Sequence, residues 1–440
     1  MGLAAARIVR IGQRRIALPS RARSAIAYVS LAALLVSGAA IAVLAASPRS
    51  PLIHRGELGL PGWVVGPLRN SSAPHVTRDR FYLLLAVMCA GYAGVLATRE
   101  SVRARWALAS IGLLHVAFVL APPLLSSDVF NYIDYARLGV LHGLDPYVHG
   151  PAAARHDPVW HLTAWRHVAS TYGPLFTLAT YPLAHVSVAA ALWSLKAATG
   201  LASLGCVALV WRIARQLGRS PLAAAAMFGL NPLLLVWTVG GAHNDVLMLL
   251  VMLAGVSLAI GAREGLGAAA LVAAAAVKAT AGLAVPFLLL ASRSRRALAG
   301  VVGASAVVYG VAALAFPGHP LGMLSVLATQ HQLVGFNSVT NEVALVFGFP
   351  GVTPGIRTLT NVLLVGALGW IALRVWRGAD WVAACGWSLV VVIVTATWFL
   401  AWYAVWPLAF AAVSREPRLT ASTFALQAFW LVNHVPHFTV

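Results

Sequence analysis

The run AIAYVSLAALLVSGAAIAVLAA, from Ala25 to Ala46, holds about 22 consecutive residues without a charge. That length carries an α-helix across the roughly 30 Å of a bilayer's hydrocarbon. Six arginines precede it (Arg7, Arg10, Arg14, Arg15, Arg21 and Arg23) and none lies within it. The arrangement resembles a secretory signal in outline, but its apolar core exceeds the 7 to 15 residues usual for one, so it reads as a retained anchor behind a basic N-terminal segment, 1–24.

Comparable apolar runs recur along the chain. They lie at about 81–97, 106–125, 188–211, 221–239, 245–260, 266–290, 298–316, 355–375, 381–396, 399–413 and 420–435. Of the 440 residues, 60% are hydrophobic and 10% charged, with a mean hydropathy of +0.82; soluble domains are nearer half apolar and a quarter charged. The sequence therefore predicts an all-α integral membrane protein, one transmembrane domain over 25–440 with about 12 to 13 membrane-crossing helices. A soluble enzyme is excluded.

A formal charge of +19 would suit a nucleic-acid binder, but the placement of the charges argues for topology instead. With the N-terminus cytoplasmic, Arg99, Arg103, Arg105, Arg212, Arg215 and Arg219 also fall inside, as the positive-inside rule requires. Arg263, Arg293, Arg295, Arg296, Arg374, Arg377, Arg415 and Arg418 join them only if the chain crosses an even number of times between Arg263 and Arg293. The single apolar stretch 266–290 must then be two short helices that go in and return, with Lys278 near the turn and Pro286 in the returning limb. On this topology most acids face outward: Glu57, Asp79, Asp128, Asp134, Asp145, Asp157, Asp245 and Glu342. Cys89, Cys206 and Cys385 have no ligand spacing and read as packing residues, so neither a disulfide nor a metal site follows.

The outward segment 126–187 carries most of the chemistry. Residues 128–141 contain no Pro and mix aromatic with apolar positions, predicting an amphipathic helix along the membrane surface, capped by Ser126 or Ser127. On it, Asp128, Asn131 and Tyr135 share a face, while Asp134 and Arg137 form a pair at i, i+3. Asp128 stands at the lip of a span, where partial burial would raise its pKa toward that of a general base; the plainer reading is a helix cap. His243-Asn244-Asp245 occupy a short outward turn and offer polar groups at the rim of the bundle, although Asn244 and Asp245 also suit a helix start. The two lysines, Lys196 and Lys278, both lie in apolar stretches. Lys278 would present positive charge to an anionic group, and Lys196 would snorkel outward from its span. Trp398, Trp402, Tyr403 and Trp406 read as an interfacial aromatic belt that a sugar or isoprenoid could also stack on.

The series Asp128-Val129-Phe130-Asn131-Tyr132, Gly143-Leu144-Asp145-Pro146-Tyr147, Tyr172-Gly173-Pro174-Leu175, Gly240-Gly241-Ala242-His243-Asn244-Asp245, Val277-Lys278-Ala279-Thr280 and Trp402-Tyr403 resembles the polyprenol-phosphate-mannose-dependent α-1,6-mannosyltransferases of actinobacterial lipoglycan synthesis, within the GT-C superfamily. The resemblance implies a multispan GT-C bundle in a bacterial cytoplasmic membrane, with the active site on the periplasmic face. It implies a lipid-linked sugar donor, a glycan or glycolipid acceptor, surrounding membrane lipids and no nucleic acid. Asp128 matches the catalytic carboxylate of the outer loop; Asn131, Tyr135, Arg137, Asp145, Tyr172, His243, Asn244, Asp245, Lys278, Trp402 and Tyr403 are the expected substrate contacts. A β-linked donor giving an α-linked product implies inversion in a single displacement. No cofactor or metal is expected, because a lipid monophosphate is already a good leaving group with modest charge. The competing class is a lipid or sugar transporter or flippase, which would show paired repeats and midplane charges rather than acids gathered in an outer loop.

Overall fold

Helix α1 (Ser20–Ala45) contains the apolar run quoted above and packs chiefly against α2 (Arg78–Ala97). The computed structural model describes residues 20–54, 60–69, 76–330, 332–335 and 337–434, and among them every regular element is helical. Arg7, Arg10, Arg14, Arg15 and Glu57 lie outside the described residues. Among the described residues five helices are long and apolar enough to cross a membrane: α1, α2, α6 (Val188–Gln216), α11 (Arg295–Ala315) and α14 (Pro354–Trp376). The rest of the bundle uses shorter apolar pieces, among them α3 (Ala104–Leu120), α8 (Asp245–Ile260), α9 (Glu264–Val277) and α15 (Trp381–Thr395). They tolerate interruption because the freed backbone groups find partners inside the protein.

The stretch 266–290 is such an interrupted piece. Helix α9 ends at Val277, Lys278 is extended at φ −151° and ψ 123°, and a short 3-10 turn (Ala279–Leu283) leads into α10 (Ala284–Ser292). The start of α9 lies against the start of α11, with Gly265 beside Arg296 and Gly300. At the far end of α9, Lys278 meets Asp245, the first residue of α8. The chain therefore goes in and comes back, as the charge pattern predicts, and Arg263 and Arg293 share a face. Close approach of α8 and α9 depends on Gly255 and Gly267: a Cβ on Gly267 would stand 2.7 Å from the Gly255 carbonyl oxygen. Small residues that let backbones touch are a common way to bind helices in lipid, where no hydrophobic force drives them together.

Helix α4 (Asp128–Leu141) departs from expectation. It does not lie along an open surface: every residue from Asp128 to Ala136 is buried. The loop pieces 151–154 and 181–185, α5 (Pro174–Thr180) and α6 close over it. Ser126 Oγ accepts the Asp128 amide at 3.1 Å, whereas Ser127, the residue at the cap position, makes no capping bond with its side chain. The long loop that follows α4 is fixed to the bundle at Gly173, whose amide donates to the Val277 carbonyl at 3.0 Å. A Cβ at Gly173 would fall 1.9 Å from the Ala276 oxygen, so only glycine permits this contact. Beyond α11, short helices α12 (Gly322–Gln330) and α13 (Val339–Val346) precede α14. In α14 none of the most apolar window is buried inside the protein, and in α11 only 11% is.

Candidate active site

Two irregular turns bring the acidic residues together. After α3 the chain leaves the helix at Ala121, and Leu125 adopts a left-handed φ of 63° before Asp128 opens α4. In the second turn, α7 (Pro221–Gly229) gives way to a π-helical turn, Leu234–Val239, and Ala242 adopts a φ of 58° just before His243. Left-handed backbone is costly for residues with a Cβ and persists only where surroundings enforce it. The Leu124 amide donates to the Gly240 carbonyl at 3.0 Å and thereby ties one turn to the other.

The Asp128 carboxylate receives the Trp165 indole N–H on Oδ1 at 3.0 Å, and its Oδ2 lies 3.4 Å from His243 Nδ1. Burial alone would push this carboxyl up, but His243, the Trp165 N–H and the field of Lys278 together outweigh it and hold the pKa below the usual carboxylate range. The direction is opposite to the expectation from a lip position, because the sequence does not reveal the donors that surround the group. Asp128 is thus ionised at neutral pH and able to accept a proton.

His243 is fully buried and stacks on Trp402, with ring centroids 3.5 Å apart and planes 20° from parallel. Rather than standing at a rim, the whole His243-Asn244-Asp245 turn is enclosed. Asp245 Oδ1 accepts from Lys278 Nζ and from Trp406 Nε1, each at 2.6 Å. The Lys278 ammonium also stands 5.2 Å from the centres of the Tyr403 and Trp406 rings, within cation–π range. Several polar atoms here have no hydrogen-bond partner among the described residues: Asp245 Oδ2, both polar atoms of the Asn244 side chain, and Asn131 Oδ1. Buried polar atoms are seldom left unpaired, so this cluster is suited to a polar ligand or water.

Asp128 and Lys278 open into one cavity of about 340 Å³, whose other walls include Tyr135, Trp165, Tyr172, Gln330, Trp398, Trp402, Tyr403 and Trp406, with Val392, Ile393, Ala396 and Leu327 forming an apolar side. An acid, a cation, a set of aromatic rings and a greasy wall thus share one space. The sequence pattern described as alpha-(1->6)-mannopyranosyltransferase, N-terminal domain, matches residues 27–294. The chain belongs to that family. The pattern of glycosyltransferase family 87 matches residues 171–432, so the two together span the bundle from α1 to the last helix. Alpha-(1->6)-mannopyranosyltransferase A of Mycobacterium tuberculosis is 30% identical over 71% of this chain and 66% of its own length. The A protein of Corynebacterium glutamicum is 30% identical over 39% of this chain and 36% of its length, and the B protein of that organism 24% identical over 72% and 59%. The chain thus spans less than two thirds of the length of these relatives. No solved structure matches it.

In this family member most of the residues singled out from sequence converge. Asp128, Tyr135, Tyr172, Lys278, Trp402 and Tyr403 line the cavity, and His243, Asn244 and Asp245 lie directly behind it. The Asn131 side-chain amide points to the Trp165 carbonyl at 3.5 Å, and the Tyr135 hydroxyl donates to the Val168 carbonyl at 2.9 Å. Two residues are elsewhere. Arg137 is committed to Asp157 at 2.9 Å, a carboxylate that also takes His142 at 2.8 Å, so the expected Asp134–Arg137 pair is replaced by a partner 20 positions along the loop. Asp145 accepts the Tyr147 amide at 2.8 Å and stands 3.0 Å from His319 Nδ1, joining the loop after α4 to the segment after α11. Lys196 does not snorkel: it is 0% exposed and bonded to backbone carbonyls. Trp165 is the site residue that sequence reading missed. It sits in an irregular loop with no motif around it, and only the fold shows that its N–H meets Asp128.

Proposed function

We propose that this protein moves a mannosyl unit from a polyprenyl-phosphate carrier to a hydroxyl of a glycan or glycolipid, at the periplasmic face of a bacterial cytoplasmic membrane and with the N-terminus cytoplasmic. The observation that carries the reading is that one cavity with an apolar wall is lined both by the Asp128 carboxylate, held in its charged form, and by Lys278, anchored on Asp245. The names of the relatives support mannose as the sugar. Asp128 takes the proton of the acceptor hydroxyl as its oxygen bonds to the anomeric carbon. The bond from that carbon to the phosphate oxygen breaks in the same displacement, and the phosphate departs with the electron pair. Lys278 meets the developing charge, since a preorganised cation in a low-dielectric site acts more strongly than in water. A single displacement inverts the anomeric centre. Val392, Ile393 and Ala396 offer the surface along which an isoprenoid chain lies, and Trp402 and Tyr403 stack on sugar.

The rival reading is a lipid or sugar transporter. Both are tested with purified protein in sealed proteoliposomes and a panel of radiolabelled polyprenyl-phosphate sugars: labelled glycan should form from the mannose donor in preference to the glucose and galactose donors. Movement of intact lipid-linked sugar across a vesicle wall, with no cleavage of the sugar phosphate, would defeat the enzyme reading.

A further inference from the structure

Lys196 is a long basic side chain on a membrane-spanning helix, completely enclosed and, among the described residues, bonded to backbone carbonyls rather than to a carboxylate. Its Nζ donates to the carbonyl of Gly240 at 2.7 Å and reaches that of Pro122 at 3.3 Å. The two acceptors belong to the two irregular turns. Pro122 stands before the left-handed Leu125 in the turn that ends at Asp128, and Gly240 stands before the left-handed Ala242 in the turn that ends at His243. Gly240 O receives the Leu124 amide as well, so a single carbonyl is gripped from the opposite turn and from α6.

Non-helical backbone at this depth needs internal donors. A lysine carries more than one N–H donor at the end of a flexible stem, so one side chain can hold both turns at once. We infer that Lys196 is a positioning residue: it clamps the two turns so that Asp128 Oδ2 and His243 Nδ1 stay 3.4 Å apart, and thereby sets the aim of the carboxylate toward the acceptor. It touches no substrate itself, being absent from the cavity wall. The inference rests on the function proposed above.

The test compares Lys196→Met, Lys196→Gln and Lys196→Arg with wild type in the mannosyl-transfer assay, with kcat and donor KM measured separately and rates divided by the folded fraction from size-exclusion and thermal unfolding. Misplacement of a reacting group by about 1 Å costs roughly 100-fold. Lys196→Met should therefore lose at least about tenfold in kcat while donor KM changes by less than about threefold. Lys196→Arg or Lys196→Gln, which keep N–H donors, should recover part of that loss. If Lys196→Met does not fold, the Gln and Arg variants carry the same comparison. A kcat per folded molecule equal to wild type in all three variants, or a loss that Arg and Gln share in full with Met, overturns the inference. Wild-type turnover in the same assay separates these outcomes from a failure of the proposed reaction, which would leave wild type inactive too.

Discussion

Replacement of Asp128 by Asn removes the proton acceptor with little disturbance of shape. The carboxamide oxygen still receives the Trp165 N–H at the position Oδ1 now holds, 3.0 Å away, and the side chain keeps its volume. What disappears is the negative charge facing His243 and Lys278 and the ability to take a proton. A positioned general base contributes about 10²- to 10⁴-fold, which at 1.36 kcal/mol per decade is roughly 3 to 5 kcal/mol of barrier. Initial rates should be measured with a radiolabelled polyprenyl-phosphate mannose and a synthetic mannoside acceptor, each varied in turn. Asp128→Asn should lower kcat at least about 100-fold with donor KM within about threefold, the pattern of an interaction made in the transition state. Because the wild-type carboxyl is held below the usual range, its own deprotonation should leave the wild-type rate flat through neutral pH, with any acid limb due to this group falling below about pH 4. A variant that retains more than about a tenth of wild-type turnover would refute the assignment of the base.

Three further outcomes follow from the same geometry. Lys278→Met should lower kcat/KM for the donor by roughly 10- to 150-fold, the equivalent of a lost charge-assisted hydrogen bond of about 1.5 to 3 kcal/mol; an unchanged value would show that the lysine does not face the donor phosphate. The same substitution leaves the buried Asp245 carboxylate without its cation, so the double variant with Asp245→Asn should melt at a higher temperature than Lys278→Met alone. Asp134 has its pKa pushed up to about 8, by burial first and then by Asp157. A folded-state value above the unfolded one means stability is fully present below about pH 4 and is lost as pH rises toward 8, so Asp134→Asn should flatten the fall in thermal stability between about pH 4 and 8; equal slopes would count against it.

Much of the architecture is written in local features. Runs of apolar residues mark the helices, and the demand that Arg263 and Arg293 share a side is enough to require the break at Lys278. The acids of the site are conspicuous because a charge in so greasy a chain needs a reason. What escapes is long-range pairing. Nothing near Arg137 indicates that Asp157 outbids Asp134 for it, because the loop must first fold back over α4 to bring Asp157 within reach. The same folding buries α4, reverses the expected shift at Asp128 by delivering Trp165 and His243, and hides the His243 turn that looked like a rim. Lys196 is legible as an anomaly, yet its acceptors are backbone carbonyls whose position depends on two left-handed residues that no side-chain pattern encodes.

The nearly bare flanks of α11 and α14 make acyl chains part of the scaffold. Apart from the seam of α11 with α9 and that of α14 with α10 and α15, their surfaces face whatever lipids surround them, so bilayer thickness and fluidity act on these two helices directly. Stripping with harsh detergent should soften this side of the molecule first, and purified preparations should differ in behaviour according to how much native lipid they retain.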